Sequence, residues 1–136
     1  MNATTTPNAA AVPQPTAMAY LAPILGWLIP GAGHFLYRKW IRGALLFISV
    51  CCMFFLGLGM DGKVYSFNTG DILDMLGFFG DIGAGGLYFL ARLNGWGHGA
   101  IQRATADYGT KFIIVAGLLN VICAVDAWHI AIGKKK

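Results

Sequence analysis

The chain has 136 residues, 57% of them hydrophobic and only 12% charged, with a mean hydropathy of +0.60, where a soluble domain carries about 25% charged residues. Its net charge is +4, glutamate is absent, and the basic residues form no groove-sized patch interleaved with aromatics; this argues against nucleic-acid binding and leaves the positive balance as a membrane-topology signal. Cys51, Cys52 and Cys123 all lie in apolar runs without zinc or disulfide spacing, which makes them small apolar residues in lipid or at helix contacts rather than ligands or bridges.

In chain order, residues 1–16 are rich in Ala, Thr, Asn and Pro and carry no charge. They read as a disordered tail, without the basic n-region of a signal peptide. The first apolar segment runs from about Ala17 to Tyr37 and is interrupted by Pro30-Gly31-Ala32-Gly33. Proline removes an N–H and clashes with the preceding turn, so this segment is kinked or re-entrant at Pro30-Gly31. Tyr20, Trp27, Tyr37 and Trp40 suit the membrane–water interface. A short basic turn follows, with Arg38, Lys39 and Arg42 as candidate residues for topology and interfacial lipid contact.

The second segment, about 41–60, is uncharged from Ala44 onward and meets the roughly 20-residue requirement for a crossing. After a polar loop with an Asn68-Thr69-Gly70 turn, Asp71 is placed to cap a third helix over about 72–93. A Gly-rich loop over 94–110 leads to the last segment, about 111–132, which is apolar except for Asn120, Asp126 and His129 and ends at Gly133 before Lys134, Lys135 and Lys136. The reading is therefore an all-α integral membrane bundle of about four transmembrane helices, occupying 17–133 between the tail and a basic C-terminus. Charge does not settle its topology. Four crossings put the terminal lysines outside; a re-entrant third segment puts them inside and the Arg92–Lys111 loop outside. The third segment's length favours a crossing.

That third segment is two-faced. At 100° per residue Asp74, Gly77, Asp81, Ala84, Gly85, Tyr88 and Arg92 share one side, with Met75, Phe78, Phe79, Ile82 and Phe89 around the other. In a membrane the small and polar side faces protein, because close approach of backbones is the main attraction available. Asp81 falls near mid-span, where an ionisable group is a functional candidate unless it ties helices together through Arg38, Arg42, His34 or a backbone N–H. The glycines over 83–86 also allow a break there. In the last segment Ala116, Asn120, Ala124, Ala127 and Ala131 form a small-residue seam edged by Cys123, suited to pack against the third segment or a partner chain. Asp126 lies off that seam, within reach of His129, three residues on. His129, beside Trp128, fits an interfacial anchor at a helix C-terminus. His34 and His129 lack the context of a haem site, and no nucleophile or metalloprotease motif is present. No cofactor, metal or enzymatic activity is expected.

Pro30-Gly31-Ala32-Gly33-His34-Phe35-Leu36-Tyr37, with Gly43 beyond it, resembles the turn of the two-span membrane domain whose hairpin motif is Gly-x-His-x-Phe-Tyr-x-Gly. The same stretch, with Gly83-Ala84-Gly85-Gly86-Leu87-Tyr88-Phe89, Tyr108-Gly109-Thr110, Ala116-Gly117-Leu118-Leu119-Asn120 and Asp126-Ala127, resembles an uncharacterised family of small bacterial membrane proteins. That likeness covers about 19–136; it implies a four-span fold in the bacterial inner membrane and transfers no catalytic residue. The expected function is a non-enzymatic scaffold or accessory subunit, partnered by lipid and by another membrane protein or a second copy. The alternative is a small ion or proton conductor using Asp74, Asp81 and Asp126.

Overall fold

The computed structural model describes residues 14–67, 69–98 and 103–134. Most of the tail, part of the Asn68 turn and the last two lysines lie outside them. Six helices are present among the described residues, with no strand: α1 (Ala17–Leu28), α2 (Ala32–Leu36), α3 (Trp40–Gly59), α4 (Ile72–Ile82), α5 (Gly86–Leu93) and α6 (Ala104–Ala131).

Only α3 and α6 are continuous, long and apolar enough to cross a bilayer, with mean hydropathies of 2.2 and 1.9. They run antiparallel. Gly57 of α3 meets Gly109 and Ile113 of α6, where an added Cβ would lie 2.6 Å from both the Gly109 carbonyl and the Ile113 side chain. At the other end Arg42, Leu45 and Leu46 line one groove with Asp126. The outer faces are apolar: Ile41, Leu45 and Leu56 on α3 and Leu118 and Ile122 on α6 are all more than half exposed. A belt of that kind is unfavourable in water and fits a hydrocarbon surrounding.

The other helices are halves. Helix α1 ends at the Pro30-Gly31 break, where Gly31 takes a φ of 80°, and α2 folds back so that Gly33 packs against Ala22 of α1 and Ala127 of α6. Helices α4 and α5 are bent by 112° at Gly83-Ala84-Gly85. Gly85 makes the second turn possible: its φ is 61° and its α-carbon faces the Trp27 carbonyl too closely for a side chain. The third segment is thus a helical hairpin rather than one continuous 22-residue helix, and the break shifts its phase. Gly77, Asp81, Ala84, Gly85 and Tyr88 are buried as the single wheel predicts, but Leu87 and Ala91 join them and Arg92 turns out.

The last helix starts seven residues earlier than the loop composition implies. Ala104–Thr110 is helical because Asp107 sits favourably in the first turn and pairs with Lys111 at 2.6 Å, one turn on. Gly109, unfavourable in a helix interior, is the contact point for Gly57. The predicted seam is buried at Ala116, Asn120, Ala124 and Ala127, and at Cys123 on its edge, and is half-buried at Ala131. It receives the first segment and α3 as well as the third. Asp71 caps α4 as its position predicts, accepting from the Leu73 N–H at 2.9 Å.

Candidate functional site

A helix that stops inside an apolar medium leaves its last carbonyls without donors, and each such group costs free energy on the order of 1–3 kcal/mol. Two half-helices, α1 and α4, stop beside Asn120 in the interior of α6. Trp27 lies in the last turn of α1, and Ile82 and Gly83 end α4. The Asn120 amide donates to the Trp27 carbonyl at 2.8 Å and to the Gly83 carbonyl at 2.9 Å. The Trp27 indole N–H donates to the Ile82 carbonyl at 3.1 Å. One amide and one indole thus join the two hairpin tips to each other and to α6. Asn120 is fully buried, and its Oδ1 has no partner among the described residues.

The hairpins reach this point from opposite ends of α6. Tyr20 near the start of α1 stacks at 5.2 Å on Trp128 near the end of α6, so α1 runs from the C-terminal end of α6 inward. Gly80 of α4 meets Ile114 and Gly83 meets Gly117, so α4 runs inward from the N-terminal end, parallel to α6. Gly117 is required there: a Cβ would collide with the Gly80 carbonyl.

Each hairpin is closed differently behind its tip. In the first, His34 of α2 is 1% exposed, and its Nε2 lies 2.9 Å from Asp126 Oδ2 on α6. In the second, an extended strap from the loop after α3 enters the hairpin mouth. Asp81 Oδ2 accepts from the Tyr65 backbone N–H at 2.6 Å, and the Tyr88 hydroxyl donates to the Tyr65 carbonyl at 3.3 Å. The strap is further held by Lys63 N–H to Thr110 Oγ1 at 2.9 Å and Val64 N–H to the Gly97 carbonyl at 3.0 Å. Asp81 is fully buried, with Oδ1 left without a partner among the described residues. Burial, reinforced by the negative charges of Asp74 and Asp81, raises the Tyr65 phenol above its ordinary range.

The sequence-derived candidates therefore separate. Asp74 is not joined to Asp81 in one site; it lies 3.7 Å from Lys63 at the partly exposed start of α4. The tie found for Asp81 is to a backbone N–H, one of its expected partners. Asp126 pairs with His34, an inter-helix contact that the spacing to His129 did not reveal, while His129 is exposed at the end of α6. Arg38, Lys39 and Arg42 surround the start of α3. Trp27 sits half-buried at a hairpin tip beside Asn120. Tyr65, Tyr88 and Thr110 were missed as ties because each tie has a main-chain group on one side, the Tyr65 N–H, the Tyr65 carbonyl or the Lys63 N–H, which leaves no residue-type signal. Among the described residues no group of three or more His, Cys, Asp or Glu side chains converges as a metal site would require.

Comparison with known proteins gives a family match. The model of a family of unknown function, DUF6677, covers residues 21–136. No curated protein and no solved structure matches the chain.

Proposed function

The chain belongs to the DUF6677 family of unknown function; we propose that it is a multi-pass protein of the bacterial inner membrane, acting as a non-enzymatic scaffold or accessory subunit of a membrane complex. In this reading α3 and α6 cross, and α1–α2 and α4–α5 are re-entrant hairpins entering from opposite faces. The alternative count of four spans requires each hairpin to cross. Charge does not separate the two counts, because each places six of the ten lysines and arginines on one face. The two-span arrangement groups Arg38, Lys39, Arg42, Lys134, Lys135 and Lys136 on one face, against Lys63, Arg92, Arg103 and Lys111 on the other. Four of the six aspartates, Asp61, Asp71, Asp74 and Asp107, also fall on that second face. The positive-inside rule makes the first face cytoplasmic, with both chain ends there.

The observation that carries the scaffold reading is where the buried polar groups are engaged. Asp81, Asn120 and His34 each bind another segment of the same chain, which is how polar residues act as helix ties in a bilayer. Extraction in mild detergent followed by affinity purification tests it. Co-purification with a larger membrane protein, or self-association, supports the reading; a monodisperse monomer without partners contradicts it.

A second reading, a small ion or proton conductor, is favoured by one feature: Asp81 Oδ1 and Asn120 Oδ1 are buried acceptors with no donor among the described residues, and intramembrane carboxylates commonly mark ion pathways. Reconstituted vesicles decide between the two. A flux abolished by Asp81→Asn establishes the conductor; no flux under proton, sodium and potassium gradients removes it.

A further inference from the structure

We propose that the cleft at the start of α3 is a binding site for the phosphate headgroup of an anionic phospholipid. The cleft has a volume of about 600 Å³ and is lined by Arg38, Lys39, Trp40, Ile41 and Arg42. Its chemistry is two-sided. Three cations gather at its rim, while Trp40 and Ile41 are 62% and 79% exposed, an apolar surface of the kind acyl chains cover. The Trp40 ring is set in place by Phe35 at 5.5 Å.

Positive charge gathers at the start of α3. A helix N-terminus carries partial positive charge and favours acidic neighbours, yet the first turn of α3 contains no acidic residue and no side chain caps it. Neither Arg38 nor Lys39 takes part in an ion pair among the described residues. The nearby carboxylate, Asp126, shares a separate groove with Arg42 and is engaged by His34. Sequences resolve such conflicts at functional positions, and a phosphate diester over the cleft resolves this one by meeting Arg38 and Lys39.

The site rests on the reading that α3 crosses the bilayer, because that places its first turn at headgroup depth. Under the charge distribution above the cleft faces the cytoplasmic leaflet, where anionic lipids attract basic clusters by about 1 kcal/mol per residue. That is roughly fivefold per charge and about 25-fold for two.

The test uses the full chain, delipidated in mild detergent, with bound lipid counted by native mass spectrometry against phosphatidylglycerol, phosphatidylcholine and inorganic phosphate. The expected result is preferential binding of phosphatidylglycerol. The double variant Arg38→Gln/Lys39→Gln weakens it by about 25-fold and leaves phosphatidylcholine unchanged. The exchange Arg38→Lys/Lys39→Arg, which keeps both charges, retains the preference. Arg92→Gln/Arg103→Gln, which removes two charges at the opposite end, retains it too. Equal binding of the two lipids overturns the site, as does equal loss in the opposite-end variant, or loss in the charge-keeping exchange. Inorganic phosphate binding as tightly as phosphatidylglycerol overturns the lipid assignment. A chain that stays in solution without detergent overturns both the site and the membrane reading; one that needs detergent but shows no preference overturns the site alone.

Discussion

The two hairpins solve one problem in two ways. Both end a half-helix in the interior of the bundle, and both hand their last carbonyls to donors at the tip. Behind the tip they diverge. The first is closed by a side-chain pair, His34 with Asp126, whereas the second is closed around a strap of main chain held by Asp81 and Tyr88. A broken helix in an apolar medium thus needs every freed backbone group satisfied, but the donor's source is open: another helix, or a loop that doubles back.

Asn120→Ala breaks both hairpins at once and carries the largest expected effect. It strands two buried carbonyls and should cost about 2–4 kcal/mol in reversible unfolding in mixed micelles. A loss within experimental error would mean the tips are not joined at Asn120. Gly117→Ala strikes the second hairpin alone. Its methyl group meets the Gly80 backbone, so α4 must move, at a cost of about 1–3 kcal/mol. Protease access to α4–α5 should rise while α1–α2 stays protected; equal exposure of both would deny that the hairpins are separately held.

At the mouths the comparison sharpens. Asp81→Leu removes the acceptor for the Tyr65 N–H and should cost about 1–3 kcal/mol. Asp81→Asn keeps a carbonyl oxygen there and should cost distinctly less, so the same loss for both variants would assign the effect to charge instead of to the strap. The smallest effect belongs to the first mouth. A double-mutant cycle on His34→Gln and Asp126→Asn should return a coupling of about 0.5–1.5 kcal/mol, and a coupling of zero would leave α2 held by packing alone.

These differences also explain what was legible in the sequence. The first break was readable because proline and glycine act on the backbone directly. The long apolar helix α3 was readable because its uncharged run matches the length of a membrane crossing. The inward face of the third segment was readable at Gly77, Asp81, Ala84, Gly85 and Tyr88, but Leu87 and Ala91 joined it and Arg92 left it past the break, because a wheel assumes one continuous axis. Asn120 stood out as the amide in an apolar helix, but its acceptors are main-chain carbonyls from two other segments, which no residue type announces. For the same reason Asp81 was identifiable as a group in need of a partner while Tyr65 was not identifiable as the partner. Trp27 was readable as an interfacial residue type, but its tie to the Ile82 carbonyl depends on tertiary placement that residue type does not announce. Extending α6 back to Ala104 required Gly109 to be a contact point, and only the neighbouring helix reveals that.

The opposed-hairpin arrangement is tested most directly by sidedness. In a background with Cys51, Cys52 and Cys123 replaced by alanine, single cysteines at Lys39, Ser66, Asn94 and Lys134 can be labelled with a membrane-impermeant maleimide from either face. Two crossings with opposed hairpins predict that Lys39 and Lys134 label together from the cytoplasmic face and that Ser66 and Asn94 label together from the other. Ser66 and Asn94 labelling from opposite faces would contradict it, because α4–α5 would then cross the membrane.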